Sequence, residues 1–276
     1  MADSRIATHY ARADLAAAIL AALTRAGKDV GALKLSDLAP IDAFHVRGAE
    51  ATRELAGLLN PSKNDHVLDV GCAIGGSARY LASQFGCRVT GIDLSADYCA
   101  AGNMLNERVG MAERIALQQG SALDLPFAGA TFDAVWTEHV QMNIADKARL
   151  YREIRRVLKP AGRFAFHDIL AGPLAAGHFP VPWAADPSMS FLIEPGALRA
   201  LLESLGFSVG EWIDVTDRAR EWFRATADRT KAAAPSPLGL QLLMGPDAAL
   251  KVQNLARNTL EDRLRFVEAV IRCPAQ

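Results

Sequence analysis

Cysteine is scarce in this chain: there are four in 276 residues, and Cys72, Cys87, Cys99 and Cys273 show neither Cys-x-x-Cys spacing nor a histidine cluster beside them. A disulfide scaffold and a structural zinc site are therefore not expected, and a reduced, intracellular protein without metal is. A surplus of charge is lacking too, since thirty Lys and Arg stand against thirty-one Asp and Glu, a formal net charge of −1. With no dense run of Lys or Arg, the electrostatic footprint of a nucleic-acid partner or an anionic membrane is missing, and a small, roughly neutral partner is expected. No uninterrupted apolar run reaches the roughly 20 residues of a membrane-spanning helix, because Arg, Asp or Pro breaks each one. The alanine-rich stretch Leu15 to Leu23 follows Arg5, Arg12 and Asp14, and no cleavage-like boundary comes after it. It reads as a helix of the mature protein, and a cytoplasmic location without membrane contact is the expectation.

What is present is an α/β pattern. Half the residues are apolar, and the length suits one large domain with an appended cap. Between Ala11 and Gly27, Leu15, Ala18, Ile19, Ala22 and Leu23 recur at helical spacing, and a second helix is predicted from Gly48 to Leu59, ended by Asn60-Pro61. Residues 1–60 thus read as a helical cap. Beyond Pro61, short apolar runs alternate with helical stretches: Val67–Val70, Val89–Ile92, Ile115–Leu117, Phe132–Trp136 and Phe164–Ile169. Runs so short and so apolar suit strands buried on both faces, and right-handed crossovers then dictate a doubly wound, mostly parallel sheet over residues 61–276. Strands near Phe207–Val215 and Leu264–Ile271 bring the total to seven, with a helical insertion between them, Thr216–Ala233 and Pro246–Asp262. Five prolines interrupt Ala171–Gly196 among Phe179, Trp183 and Phe191, which marks an irregular wall or lid.

Two features bear chemistry. The strand His66–Val70 runs into Gly71-Cys72-Ala73-Ile74-Gly75-Gly76 ahead of a helix, a turn where a ligand can lie against backbone and a helix N-terminus favours a polar group. Glycine turns also serve simply to pack a helix onto a strand, so the next acid matters. Asp93 ends the following strand twenty-two positions after Gly71, where a carboxylate accepts from both ribose hydroxyls. An adenosine ligand follows, NAD and S-adenosylmethionine fitting equally well.

Four segments in order decide between them: Val67-Leu68-Asp69-Val70-Gly71-Cys72, Gly91-Ile92-Asp93-Leu94-Ser95, Gly120 to Phe127 with Leu125-Pro126-Phe127, and Arg156-Val157-Leu158-Lys159-Pro160-Ala161-Gly162. Val67 to Asp168 resembles the class I S-adenosylmethionine-dependent methyltransferases, in the small-molecule branch with the ubiquinone/menaquinone and sarcosine/dimethylglycine enzymes. The resemblance implies a Rossmann-like sheet, S-adenosylmethionine as cofactor and S-adenosylhomocysteine as product. It implies that Gly71 and its neighbours, Cys72 and Gly75 among them, contact the methionine moiety, Asp93 the ribose, Leu94 the adenine face and Ser121-Ala122 the adenine edge. Thr137-Glu138-His139 would lie beside the sulfonium. Ala73, Ser121 and Ala161 depart from the pattern, and weaker cofactor binding is the expected cost.

Methyl transfer from a sulfonium needs alignment and exclusion of water, and a base only when the acceptor arrives protonated. His139, at the end of the fourth strand, is the first candidate base, and His45, on the cap segment, the second. Gln141 and Asn143 are placed to hold polar groups of the acceptor, with Tyr10 and Trp183 as aromatic wall. His167 reads as a core residue, and Asp168 as a residue that could face the site. The acceptor is expected to be a small molecule, by family likeness one methylated on nitrogen, with a phenol, quinone or carbon nucleophile as the alternative and a monomer or homodimer as the assembly. A nicotinamide-dependent oxidoreductase and a non-enzymatic binding protein are the rival readings.

Overall fold

The computed structural model describes residues 2–232 and 236–275. Seven strands form one sheet: β1 (His66–Val70), β2 (Arg88–Asp93), β3 (Ile115–Gln119), β4 (Phe132–Glu138), β5 (Leu158–Ala171), β6 (Ser208–Asp214) and β7 (Leu264–Arg272). Their order is β3-β2-β1-β4-β5-β7-β6, with β7 antiparallel to both neighbours and every other pair parallel. All seven expected strands are present, and the sheet is doubly wound. The switch of direction along the order lies between β1 and β4, so the carboxyl ends of those strands open onto the crevice where such sheets hold ligands.

Helices cover both faces. Helices α4 (Ala49–Leu59) and α5 (Gly76–Phe85) pack Leu55, Leu59, Ala78 and Leu81 on Val67, Ala134, Trp136 and Ala165. On the opposite face, α7 (Lys147–Val157) and α8 (Pro195–Ser204) bury Leu150, Ile154, Leu198 and Leu202 against Val135, Phe164, Phe166 and Ile271. The alternation of β4, β5 and β7 between these two clusters is the period of two that an extended chain imposes. The central strands β1, β4, β5 and β7 sit between two apolar layers, which is why their runs read as continuously hydrophobic, while β3 and β6 at the edges are largely exposed.

The N-terminal region holds two helices that the periodicity does not announce. α1 (Ala2–Tyr10) precedes α2 (Leu15–Arg25), and α3 (Leu35–Asp42) carries Pro40 inside eight residues. The helix expected over Ala11–Gly27 is thus shorter at both ends. Arg5–Arg25 contains an 18-residue window with a mean hydropathy of 1.2, but residues 11–14 interrupt it. The eleven residues of α2 rise only about 17 Å against a hydrocarbon layer of roughly 30 Å. Leu15, Ile19, Ala22 and Leu23 are buried with Leu38, Tyr98 and Leu105, so α2 packs as a core helix between α3 and α6 (Ala96–Arg108). The insertion before β7 contains α9 (Thr216–Ala232), α10 (Gln241–Met244) and α11 (Ala248–Leu260). Ala233, the expected last residue of that first helix, lies outside the described residues.

The seat of α3 on α5 is tight. A Cβ on Gly76 would stand 1.8 Å from the Asp42 carbonyl oxygen, while the Asp42 carboxylate meets Arg79 at 2.6 Å. Arg79 is buried and donates to Asn106 as well, at 2.8 Å. Gly76→Ala is therefore expected to lower stability by about 1–3 kcal/mol, read as a reduced urea midpoint with unchanged slope. An unchanged midpoint would show that α3 does not rest on the start of α5.

Candidate functional site

One continuous cavity lies over the carboxyl ends of β1, β2, β3 and β4 and opens to solvent. Its lining includes Gly71, Cys72, Asp93, Leu94, Ser121, Ala122, Glu138, His139, His45, Tyr10, Asn143 and Trp183. Residues from the whole length of the chain thus converge, as the sequence reading expects. Gly75 and Gln141 are not in the wall.

At the glycine turn, the chain uses its glycines differently from the expectation. Gly71 has φ +75°, and a Cβ there would stand 2.4 Å from Val140. Gly75, the N-cap of α5 with φ +82°, would meet Leu117 at 2.9 Å. The missing side chains let the protein's own residues approach, and Gly71 offers the cavity its backbone. The turn is locked to β2, because Gly71 and Cys72 donate to the Ile92 carbonyl at 2.7 and 3.2 Å. Asp93 completes the lock by accepting from the Ala73 N–H at 2.9 Å with one oxygen and from the Ser95 N–H at 2.9 Å with the other. Burial pushes its carboxyl up, against those two N–H groups. Each oxygen keeps a further lone pair, so the carboxylate is held rigid and still able to accept from a diol.

Asp69 is a functional candidate that the strand pattern hides. It sits within β1, is buried, lines the cavity, and its Oδ2 has no hydrogen-bond partner among the described residues. Burial, with Glu138 and Asp93 near, raises its carboxyl well above the usual range. The only sign of it in the sequence is a carboxylate inside an otherwise apolar strand. A buried, unsatisfied carboxylate facing a cavity with two more beside it calls for a cationic ligand. The ammonium and sulfonium of S-adenosylmethionine answer that demand, so the residues present fit this cofactor.

Glu138 is bound by protein on every side. It accepts from the Ser77 hydroxyl, from Trp136 Nε1 at 3.1 Å and from the Thr52 hydroxyl at 3.2 Å, and it meets His45 Nε2 at 3.1 Å. His45 Nε2 also faces the Gly48 carbonyl at 3.0 Å and the Thr52 hydroxyl at 2.9 Å. Carbonyl and carboxylate can only accept, which places the proton of His45 on Nε2 and commits that nitrogen to the cap. The register Glu138↔His167 and His167↔Glu268 sets three polar side chains in a row across β4, β5 and β7 on one face. The cap segment lies along it: His45 on Glu138, and Arg47 on Glu268 at 2.8 Å, with both members of the second pair buried.

His139 follows Glu138 with φ +55°, a strained backbone for a non-glycine residue. Its N–H donates to the His167 carbonyl at 2.8 Å, and its ring stacks on the His167 ring with centroids 5.0 Å apart. Nε2 is buried without a partner among the described residues. Burial, then the neighbouring His167 and His45, hold its pKa well below 6.5, so the imidazole is neutral near pH 7. Asp168 does not face the site. It lies buried beneath the loop and accepts from the N–H groups of Val140 and Gln141 at 3.3 and 3.0 Å, fixing the residues just after His139. Burial raises its carboxyl to about 6 despite these bonds and Lys147. Gln141, expected to hold the acceptor, is likewise buried and donates from its amide to the Ile169 carbonyl at 2.6 Å.

Tyr10, Asn143 and Trp183 reach the wall as a chain of bonds. The Tyr10 hydroxyl donates to Asn143 Oδ1 at 2.9 Å, and Asn143 Nδ2 donates to the Trp183 carbonyl at 2.7 Å. His9 Nε2 meets the Pro182 carbonyl at 2.9 Å, and the Asn254 amide donates to the Pro180 carbonyl at 3.0 Å. The proline-rich segment is thus pinned by α1, by the loop after β4 and by α11.

A family model described as a methyltransferase domain matches residues 68–166. The chain is 32% identical over 184 residues to the O-methyltransferase resE of Aspergillus sclerotiorum, a match covering 65% of this chain and 68% of that protein. It is also 32% identical over 178 residues to a glycine/sarcosine/dimethylglycine N-methyltransferase of Actinopolyspora halophila, covering 64% of this chain and 32% of that protein, so it spans about a third of that relative's length. A geranyl diphosphate C-methyltransferase from Streptomyces coelicolor A3(2), solved with Mg2+, geranyl-S-thiolodiphosphate and S-adenosylhomocysteine, shares the fold with a TM-score of 0.70 at 18% identity, over 99% of this chain and 98% of its own.

Burial pushes the Glu268 carboxyl up to about 7, with Arg47 pulling it down. The folded value lies above the roughly 4.3 of an unfolded chain, so the stabilisation from the protonated form is complete below about pH 4 and is lost as pH rises through about 7. Glu268→Gln removes that loss. Its urea midpoint relative to the parent protein is expected to improve from pH 5 to pH 8, and a pH-independent difference would contradict the assignment.

Proposed function

The chain belongs to the class I S-adenosylmethionine-dependent methyltransferases of the small-molecule branch, and we propose that it methylates a hydroxyl oxygen of a small acceptor held between Tyr10, His139 and Trp183. Bound S-adenosylmethionine supplies a methyl carbon made electrophilic by the adjoining sulfonium. The positive charge is then already present, so the side chains have to align the acceptor, exclude water and remove its proton. Asp93 holds the ribose hydroxyls, Leu94 and Ala122 flank the adenine, and Asp69 with the backbone of the Gly71 turn takes the methionine end. This divides the cavity into a cofactor half over β1, β2 and β3 and an acceptor half under the cap.

The observation that carries the reading is the unpartnered, neutral imidazole of His139 in the wall beside Glu138. Such a ring accepts a proton from a phenol or enol in the step that forms the new O–CH3 bond. Its strained backbone, its stacking on His167 and the grip of Asp168 on the next residues fix it in place. His45 acts differently. With Nε2 bound to Glu138, Gly48 and Thr52, it positions the cap over the acceptor. The described residues of segments 1–60, 171–196 and 216–262 close the acceptor half together, excluding water from the reacting atoms. Oxygen is preferred here to the nitrogen expected from family likeness, because no side chain of the lid among the described wall residues offers a carboxylate to an ammonium. Four free, buried thiols support a reducing compartment such as the cytoplasm.

His139→Ala is expected to lower kcat roughly 100- to 10,000-fold while S-adenosylhomocysteine affinity, measured by calorimetry, stays within about twofold of the parent's. Because the base works unprotonated and its pKa lies below 6.5, parent activity should be flat from pH 7 to 8 and fall only in acid. Unchanged turnover in the variant would remove His139 from the reaction. Asp93→Ala is expected to weaken S-adenosylhomocysteine binding by about 100-fold, by loss of charge-assisted bonds. Unaltered affinity would place the ribose elsewhere.

A further inference from the structure

The proposed division of the cavity leaves its acceptor half with an unusual wall. Between residues 171 and 262 the described lining is uncharged throughout, with Trp183, Trp222, Phe223, Met244, Val252 and Leu255 as its main members. From the N-terminal side come Ile6, Tyr10 and Phe44, equally without charge. Every carboxylate of the cavity belongs to α3 or the sheet: Asp42, Asp93 and Glu138 end α3, β2 and β4, and Asp69 lies one residue before the end of β1. No lysine or arginine lies among the described wall residues. Lys251 on α11 is engaged in an ion pair with Asp247 at 2.9 Å and a bond to the Met244 carbonyl at 2.8 Å.

From this wall we infer that the acceptor is an uncharged, ring-bearing, largely apolar molecule whose hydroxyl is its main polar feature, and that carboxylated or phosphorylated acceptors are rejected. The inference rests on the methyl-transfer reading above. Apolar and aromatic walls favour a flat hydrocarbon body by burial and by edge-to-face contact. An anionic group carried into that half would lose its hydration and find no cation among the described wall residues to replace it, while Glu138 and Asp93 repel it from the other side. An acceptor of the sarcosine kind, whose carboxylate needs such a partner, is therefore excluded, and a phenolic or polyketide-like ring compound is admitted. The pocket's apolar wall is thus the determinant of selectivity.

Calorimetry on the full chain tests this with two probes that share one ring body, 2-naphthol and 6-hydroxy-2-naphthoic acid, each titrated into protein saturated with S-adenosylhomocysteine. The neutral probe is expected to bind at least about tenfold more tightly, the carboxylate being buried unpaired. Val252→Arg sets a cation in the wall at a position only partly buried, and should narrow or reverse that ratio. Equal or tighter binding of the carboxylated probe to the parent protein, or a ratio untouched by Val252→Arg, would overturn the inference. So would methylation of sarcosine in the presence of S-adenosylmethionine. Failure of S-adenosylhomocysteine to bind in the first titration would instead strike the methyltransferase reading, which keeps the two failures apart.

Discussion

A buried carboxylate must be satisfied, and Glu138 is the place where that requirement organises this protein. Its oxygens gather Ser77 from the first turn of α5, Trp136 from the strand below, and Thr52 and His45 from the cap. One side chain therefore joins the cofactor turn, the sheet and the roof. The polar row it begins, Glu138–His167–Glu268, continues the same logic across three strands, and Arg47 closes the far end. Removing Arg47 leaves the buried Glu268 without its 2.8 Å partner, a larger loss than the pair itself contributes. The row is thus a specification of where residues 44–48 must lie rather than a source of net stability.

That constraint links fold to chemistry. Fixing the cap sets Phe44, Val46 and, through α1, Tyr10 along one side of the cavity, while Asp168 sets Val140 and Gln141 on the other. His139 lies between, in a backbone conformation that persists only because its N–H, its ring and the next residues are all held. The Tyr10–Asn143–Trp183 chain ties the proline-rich segment to the same loop. Cofactor end and acceptor end are consequently parts of one connected scaffold, and a displacement of the loop after β4 would be felt in both.

Much of this was legible before any coordinates. Strands buried on two faces announce themselves as short apolar runs, and the turn at Gly71 with Asp93 beyond it locates the crevice, because both are local patterns. Other features are not local. Glu138, His167 and Glu268 are separated by scores of residues and become neighbours only through strand register, so neither the row nor the commitment of His45 Nε2 is visible in the chain. Helix α3 is short and contains Pro40, which defeats a periodicity argument, and Gly76 reveals its purpose only when Asp42 is seen against it. Asp69 reads as part of a strand because its neighbours are apolar, and Gln141 reads as an acceptor contact because position on a loop does not say which way a side chain turns.

On the proposed reading the cofactor takes the end of the cavity lined by carboxylates and backbone, and the acceptor takes the aromatic and aliphatic end. The central claim is that Asp93 and the Gly71 turn hold the cofactor so that its reacting end meets His139. The most direct measurement is a crystal structure of the chain with S-adenosylhomocysteine. The account predicts the ribose hydroxyls on Asp93, the adenine against Leu94 and the sulfur toward His139. An adenosyl group lodged elsewhere, or a sulfur turned away from His139, would contradict it.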